Sequence, residues 1–103
     1  MNDKPVILIN MFTVVPARQH ELIELLTRAT EDSVRHARGF ISARLHRSLD
    51  GTKVVNYAQW RSREDFDAMR KNPDARPHIE AAAALATFEP ILCEVVDSIS
   101  VKG

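Results

Sequence analysis

Residues 39–66 read GFISARLHRSLDGTKVVNYAQWRSREDF. From Phe40 to Ser48 the chain alternates, with Ile41, Ala43 and Leu45 on one side and Ser42, Arg44 and His46 on the other, which is the two-residue period of a half-buried strand. Asp50-Gly51 is a strong hairpin signal, so Lys53 to Trp60 returns beside the first strand. Ser62, with Asp65 three positions later, has the pattern that caps a helix, and Phe66 and Met69 give that helix a buried face. The stretch is therefore a strand, a turn, a strand and a helix.

Working outward, Val6 to Val14 is rich in β-branched and other apolar residues and lies between Pro5 and Pro16, which predicts another strand. Pro16 suits the first turn of a helix, and Leu22, Ile23, Leu25, Leu26, Ala29 and Val34 follow at helical spacing, with Gly39 placed as a stop. Beyond the capped helix, Asn72-Pro73 is a break, and Asp74 is the expected cap of a further helical segment running through the alanines to about Ala86. Pro90 precedes an expected last strand, Ile91 to Val101. The order strand, helix, strand, strand, helix, strand predicts an α+β fold of ferredoxin-like type: a four-stranded antiparallel sheet with its helices on one face, formed by residues 1–103 as one domain.

One hundred and three residues can build one core. The chain has 14 basic and 14 acidic residues, and its few aromatics do not interleave with the basic ones, so nothing points to nucleic acid. The apolar run from Val6 to Val15 is too short for a membrane span, and no targeting segment is expected. Cys93 is the only cysteine, which fits a reducing compartment and predicts a cytoplasmic protein. Glycine occurs only at 39, 51 and 103, leaving no phosphate loop or dinucleotide fingerprint, and no metal-ligand spacing is present.

The first strand is apolar on both faces, as is Lys53 to Trp60 apart from its amides. Helices cover one face of a sheet only, so a second sheet is expected on the other, in a homodimer packed sheet against sheet. By strand alternation, Val54, Asn56, Ala58 and Trp60 share a face, and the fold makes the first and third strands neighbours, which brings Asn10 near Asn56. Taken alone, a strand asparagine is more often a local hydrogen-bonding residue, and a strand-end tryptophan more often core, than a ligand contact. Among His20, His36, His46 and His78, only His78, which opens a helix after a break, is placed to offer a neutral-pH base near the sheet.

The run from Gly39 to Phe66, with VVNYAQW and the capped helix as its strongest motif, closely resembles the antibiotic biosynthesis monooxygenase family, especially small oxygenases of aromatic polyketide pathways. The likeness extends more loosely over INMFTVVPARQHELIELL and the closing strand. It implies a dimeric α+β barrel and an oxygenase needing neither metal nor flavin, in which an acidic phenol or anthrone loses a proton and its anion reacts with dioxygen. Asn56 matches a polar residue that bonds substrate or peroxide oxygen, and Trp60 matches the pocket-lining indole. Leu45 and Phe66 stand where relatives have tyrosines, and the family's pocket arginine falls at Ile79 with Arg76 nearby. A haem-degrading branch uses a first-strand asparagine and a helix histidine, matched by Asn10 and His78, with Met69 where its tryptophan stands.

The expected function is thus oxidation of a small quinol- or anthrone-like aromatic by dioxygen without a cofactor. Asn56, Trp60 and His78 are the expected catalytic residues, and Asn10, Leu45, Phe66, Met69 and Arg76 the expected substrate contacts. A non-catalytic small-molecule binder of the same fold, or less readily a haem protein, is the alternative.

Overall fold

The computed structural model describes residues 4–101. Strands β1 (Val6–Val14), β2 (Phe40–Arg47), β3 (Lys53–Trp60) and β4 (Ala86–Cys93) form one antiparallel sheet in the order β2-β3-β1-β4. Helices α1 (Gln19–Asp32), α2 (Arg63–Lys71) and α3 (Arg76–Leu85) connect them, which gives the ferredoxin-like α+β fold. No helix among the described residues is long and apolar enough to cross a membrane.

The central strands follow the two-residue period. Leu8, Phe12 and Val14 of β1 and Val54, Ala58 and Trp60 of β3 are all buried. They divide into two packed clusters. Phe12, Val14, Leu22, Val54 and Ala82 form one, and Leu8, Ala58, Trp60 and Phe66 form the other. Gln19, buried at the start of α1, donates from Nε2 to the carbonyls of Ser48 (3.2 Å) and Lys53 (2.9 Å), tying that helix to the base of the hairpin. Ser62 caps α2 by accepting from the Asp65 backbone N–H at 3.2 Å.

Four expectations need correction. In β2 a bulge sets Phe40 opposite Trp60 and Ser42 opposite Gln59, so Ile41 is the extra residue and is 51% exposed, while Phe40 takes the inner position beside Ala43 and Leu45. Helix α1 ends at Asp32 and a 3₁₀ turn follows, so Gly39 does not stop the helix but lies in the turn immediately before β2. Its φ of 84° is a left-handed conformation, and a Cβ there would run into the Asp65 side chain. The segment after the break is capped by Asn72, whose Oδ1 accepts from the Asp74 N–H at 2.9 Å, and not by Asp74. The last strand is Ala86–Cys93, not Ile91 to Val101. Pro90 lies inside it, tolerated because β4 is an edge strand, and Glu94 to Val101 has no regular secondary structure.

Candidate active site

The seam between the two clusters is where polar groups enter the interior. Asn10 lies on β1 between Leu8 and Phe12, and Asn56 lies on β3 between Val54 and Ala58. The register pairs Asn10 directly with Asn56, which sets the two amides side by side on the helix-facing side of the sheet. Asn10 Oδ1, Asn56 Oδ1 and Trp60 Nε1 are all buried without a hydrogen-bond partner among the described residues. A buried amide or indole left unpaired costs about 1–3 kcal/mol, so three in one place is an unusual concentration of unused hydrogen-bonding capacity.

These groups border a cavity of about 360 Å³, within the size range of small-molecule sites. Leu8, Phe12, Phe40, Ala43, Ala58, Phe88 and Pro90 contribute the rest of its floor from the sheet, and Leu26, Ala29, Thr30 and Ala82 are among its helical walls. Its lining is overwhelmingly hydrocarbon. The Thr30 hydroxyl is already committed to the Leu26 carbonyl at 2.9 Å. Trp60 is wedged between two aromatic edges, with ring centroids 5.5 Å from Phe40 at 80° and 5.8 Å from Phe66 at 72°, so the indole is both core and cavity wall.

Of the residues expected from sequence, Asn10, Asn56, Trp60, Phe66, Met69 and His78 all line this one cavity. His78 is half-buried in the first turn of α3. Two expected contacts do not line it. Leu45 is the register partner of Asn56 on β2, but it packs with the Phe12 and Leu22 cluster and does not line the cavity. Arg76 is exposed on α3, and Ile79 lines the cavity instead. Arg70 was missed by sequence reasoning. It lines the cavity with its guanidinium 5.9 Å from the Phe66 ring centroid, and the signal was its four-residue spacing from Phe66 on α2. The chain's only tyrosine, Tyr57, alternates onto the opposite face, beside a smaller depression shared with Ser42, Arg44 and His46. Among the described residues, no three histidine, cysteine or acidic side chains gather where they could hold a metal ion.

The arrangement is an apolar chamber with amide and indole groups at its floor and an imidazole in its wall. The family model for antibiotic biosynthesis monooxygenase matches residues 5–85. The tetracenomycin-F1 monooxygenase of Streptomyces glaucescens is 48% identical over 91 residues, spanning 88% of this chain and 81% of that protein. Among solved structures, SnoaB, a cofactor-independent oxygenase from Streptomyces nogalater, is similar with a TM-score of 0.82 at 29% identity, over 93% of this chain and 97% of that one. A monooxygenase from the gene ActVA-Orf6 of Streptomyces coelicolor, solved in complex with nanaomycin D, gives a TM-score of 0.86 at 31% identity, over 96% and 94% of the two chains. Matched by the family model from Pro5 to the end of α3, and similar to these oxygenases along nearly its whole length, the chain belongs to the antibiotic biosynthesis monooxygenase family.

Proposed function

We propose that this protein is a cofactor-independent monooxygenase that oxidises a small electron-rich aromatic, a quinol or an anthrone, with dioxygen. The observation that carries the reading is the row of three buried polar atoms without a partner among the described residues, Asn10 Oδ1, Asn56 Oδ1 and Trp60 Nε1, beside a largely hydrocarbon cavity. The names of the relatives support the same chemistry.

For an anthrone the sequence of steps balances without an added reductant. His78 removes one proton from the reacting CH₂ carbon, and the resulting anion gives an electron to dioxygen. The radical pair joins to form a C–O bond. Loss of the second C–H proton as the O–O bond breaks leaves a ketone, and the other oxygen leaves as water with both protons. Negative charge lies first on the substrate oxygen and then on the peroxide. The Trp60 ring is held in place by Phe40 and Phe66 and its N–H has no partner among the described residues, so it is free to donate, and a half-turn of either amide exchanges its carbonyl oxygen for an NH₂ donor. Donors held in a dry site need no reorganisation as charge develops, and each contributes about 10²–10³-fold to rate.

Ile9, Met11, Val55 and Ile91 alternate onto the face opposite the helices, where Met11 is 37% and Ile91 56% exposed. That patch supports a homodimer packed through this face. The single cysteine supports placement in the cytoplasm.

Oxygen uptake with a panel of hydroquinones and anthrones at neutral pH tests the proposal. The expected result is one dioxygen consumed per anthrone above the spontaneous rate, with the quinone as product. No substrate consumed faster than in buffer, or an Asn56→Ala rate equal to wild type, would sink it. A second reading, non-catalytic binding of the same class of molecule, is favoured by hydrocarbon at Leu45 and Phe66 and by Tyr57 facing away from the cavity. Bound quinone without turnover would select it. Haem binding has in its favour that Asn10 and His78 border the same cavity. A Soret band with haemin that His78→Ala abolishes would select it, and no such band excludes it.

A further inference from the structure

The cavity has two chemically different ends. The amide oxygens of Asn10 and Asn56 are buried at the sheet, whereas Arg70 projects from α2 and is exposed. Among the described residues lining the cavity, Arg70 is the only one with a permanent charge and none is a carboxylate. Nor does Arg70 form an ion pair with any described residue, although Arg38 and Arg63, around the same helix, are 4.0 Å from Asp65 and 3.8 Å from Asp67. The Phe66 ring, four residues earlier, lies 5.9 Å from its guanidinium and holds it at the cavity edge. A guanidinium stays protonated at any working pH and presents a planar fork of donors suited to a carboxylate.

We propose that Arg70 is a specificity residue that recognises an anionic substituent, a carboxylate, carried by the aromatic substrate at the end remote from its reacting carbon. The substrate is then amphipathic: its electron-rich rings lie along the apolar walls with the reacting carbon at the Asn10, Asn56 and Trp60 floor, and its carboxylate meets Arg70 at the rim. Phe66 takes part in this division. Its ring packs at 72° to Trp60 on one side, and its face carries the Arg70 guanidinium 5.9 Å from the centroid. Only the orientation of the substrate rests on the monooxygenase reading; the charge recognition stands on the geometry of Arg70.

Rhein and chrysophanol make the test direct, since these anthraquinones differ only in a carboxylate and a methyl at one carbon. Binding of each is followed by quenching of the single tryptophan, Trp60, without any turnover. Wild type is expected to bind rhein more tightly than chrysophanol, with the preference shrinking at high salt because the rim is solvated. Arg70→Gln lowers the rhein-to-chrysophanol affinity ratio about tenfold, Arg70→Lys restores part of it, and Arg63→Gln, on the same helix but outside the cavity, leaves the ratio as in wild type. The anthrones of the same pair, followed by oxygen uptake, give the matching ratio of kcat/KM. An Arg70→Gln ratio equal to wild type, even with a lowered Tm, would overturn the proposal and assign Arg70 a packing role. A ratio that falls in binding while neither anthrone is oxidised keeps the recognition and defeats the monooxygenase reading.

Discussion

The two faces of β3 carry the same kinds of side chain and use them in opposite ways. On the outer face, the Gln59 amide oxygen accepts from the Ser42 hydroxyl at 3.1 Å, and the only phenol of the chain, Tyr57, stands beside the polar side chains of β2. On the inner face, one residue away in either direction, half-buried Asn56 and fully buried Trp60 have an amide oxygen and an indole N–H that are out of solvent and bond to nothing among the described residues. Polarity alone therefore does not mark a site in this fold. What marks it is polarity whose partner the protein does not supply.

Substitutions on the two faces should separate accordingly. The largest effect belongs to Trp60→Ala, which empties the aromatic stack of Phe40 and Phe66 and should cost about 3–5 kcal/mol of stability in denaturant unfolding, whereas Gln59→Ala loses one solvated hydrogen bond and should cost about 0.5 kcal/mol. Comparable losses from both would erase the distinction between the faces. Next, Asn56→Leu should lower turnover of an anthrone by about 10²–10³-fold while leaving Tm unchanged or raised, because the amide it removes is unsatisfied in the folded protein. A fall in Tm with turnover intact would make Asn56 an ordinary core residue.

Those expectations rest on strand parity, which held because β3 is central, hairpin-connected and paired with β1 without a register shift. The same rule failed in β2, where Phe40 and Ile41 are both apolar and only the pairing with β3 decides which is the bulged residue. It failed again in β4, since a proline argues against a strand unless the strand lies at an edge, and edge position is a property of the whole sheet. In the site, Asn10, Asn56, Trp60 and His78 were reached from alternation, topology and helix start signals. Leu45 and Arg76 were carried over from the family likeness, and each sits just outside the cavity, Leu45 drawn into the neighbouring cluster and Arg76 left in solvent. Arg70 escaped notice because on a helical pattern it reads as one more solvated cation.

Two smaller effects test how the inner face is held in place. Gly39 positions Phe40 against Trp60 and accepts at its carbonyl from the Arg61 N–H at 2.7 Å. Gly39→Ala, strained by its positive φ and by the Asp65 side chain, should cost about 1–3 kcal/mol and change the environment of Trp60, which its fluorescence reads. Finally, in the hairpin that joins the outer ends of β2 and β3, the Asp50 carboxylate is lowered from 3.8 to about 2, first by the Thr52 backbone N–H and then by the Thr52 and Ser48 hydroxyls. Its contribution is complete above its unfolded value and is lost as pH falls through about 2, so the acid side of the stability profile should be slightly flatter in Asp50→Asn. An identical profile in that variant would remove Asp50 from the account of the hairpin.

The central claim is that the two cross-strand amides serve one reacting centre. It is tested most directly by kcat for anthrone oxidation in wild type, Asn10→Leu, Asn56→Leu and the double variant. Groups acting on the same developing charge are non-additive, so the double variant should be little slower than the worse of the two single variants. No turnover in wild type, a single variant as fast as wild type, or losses that simply multiply in the double variant would contradict it.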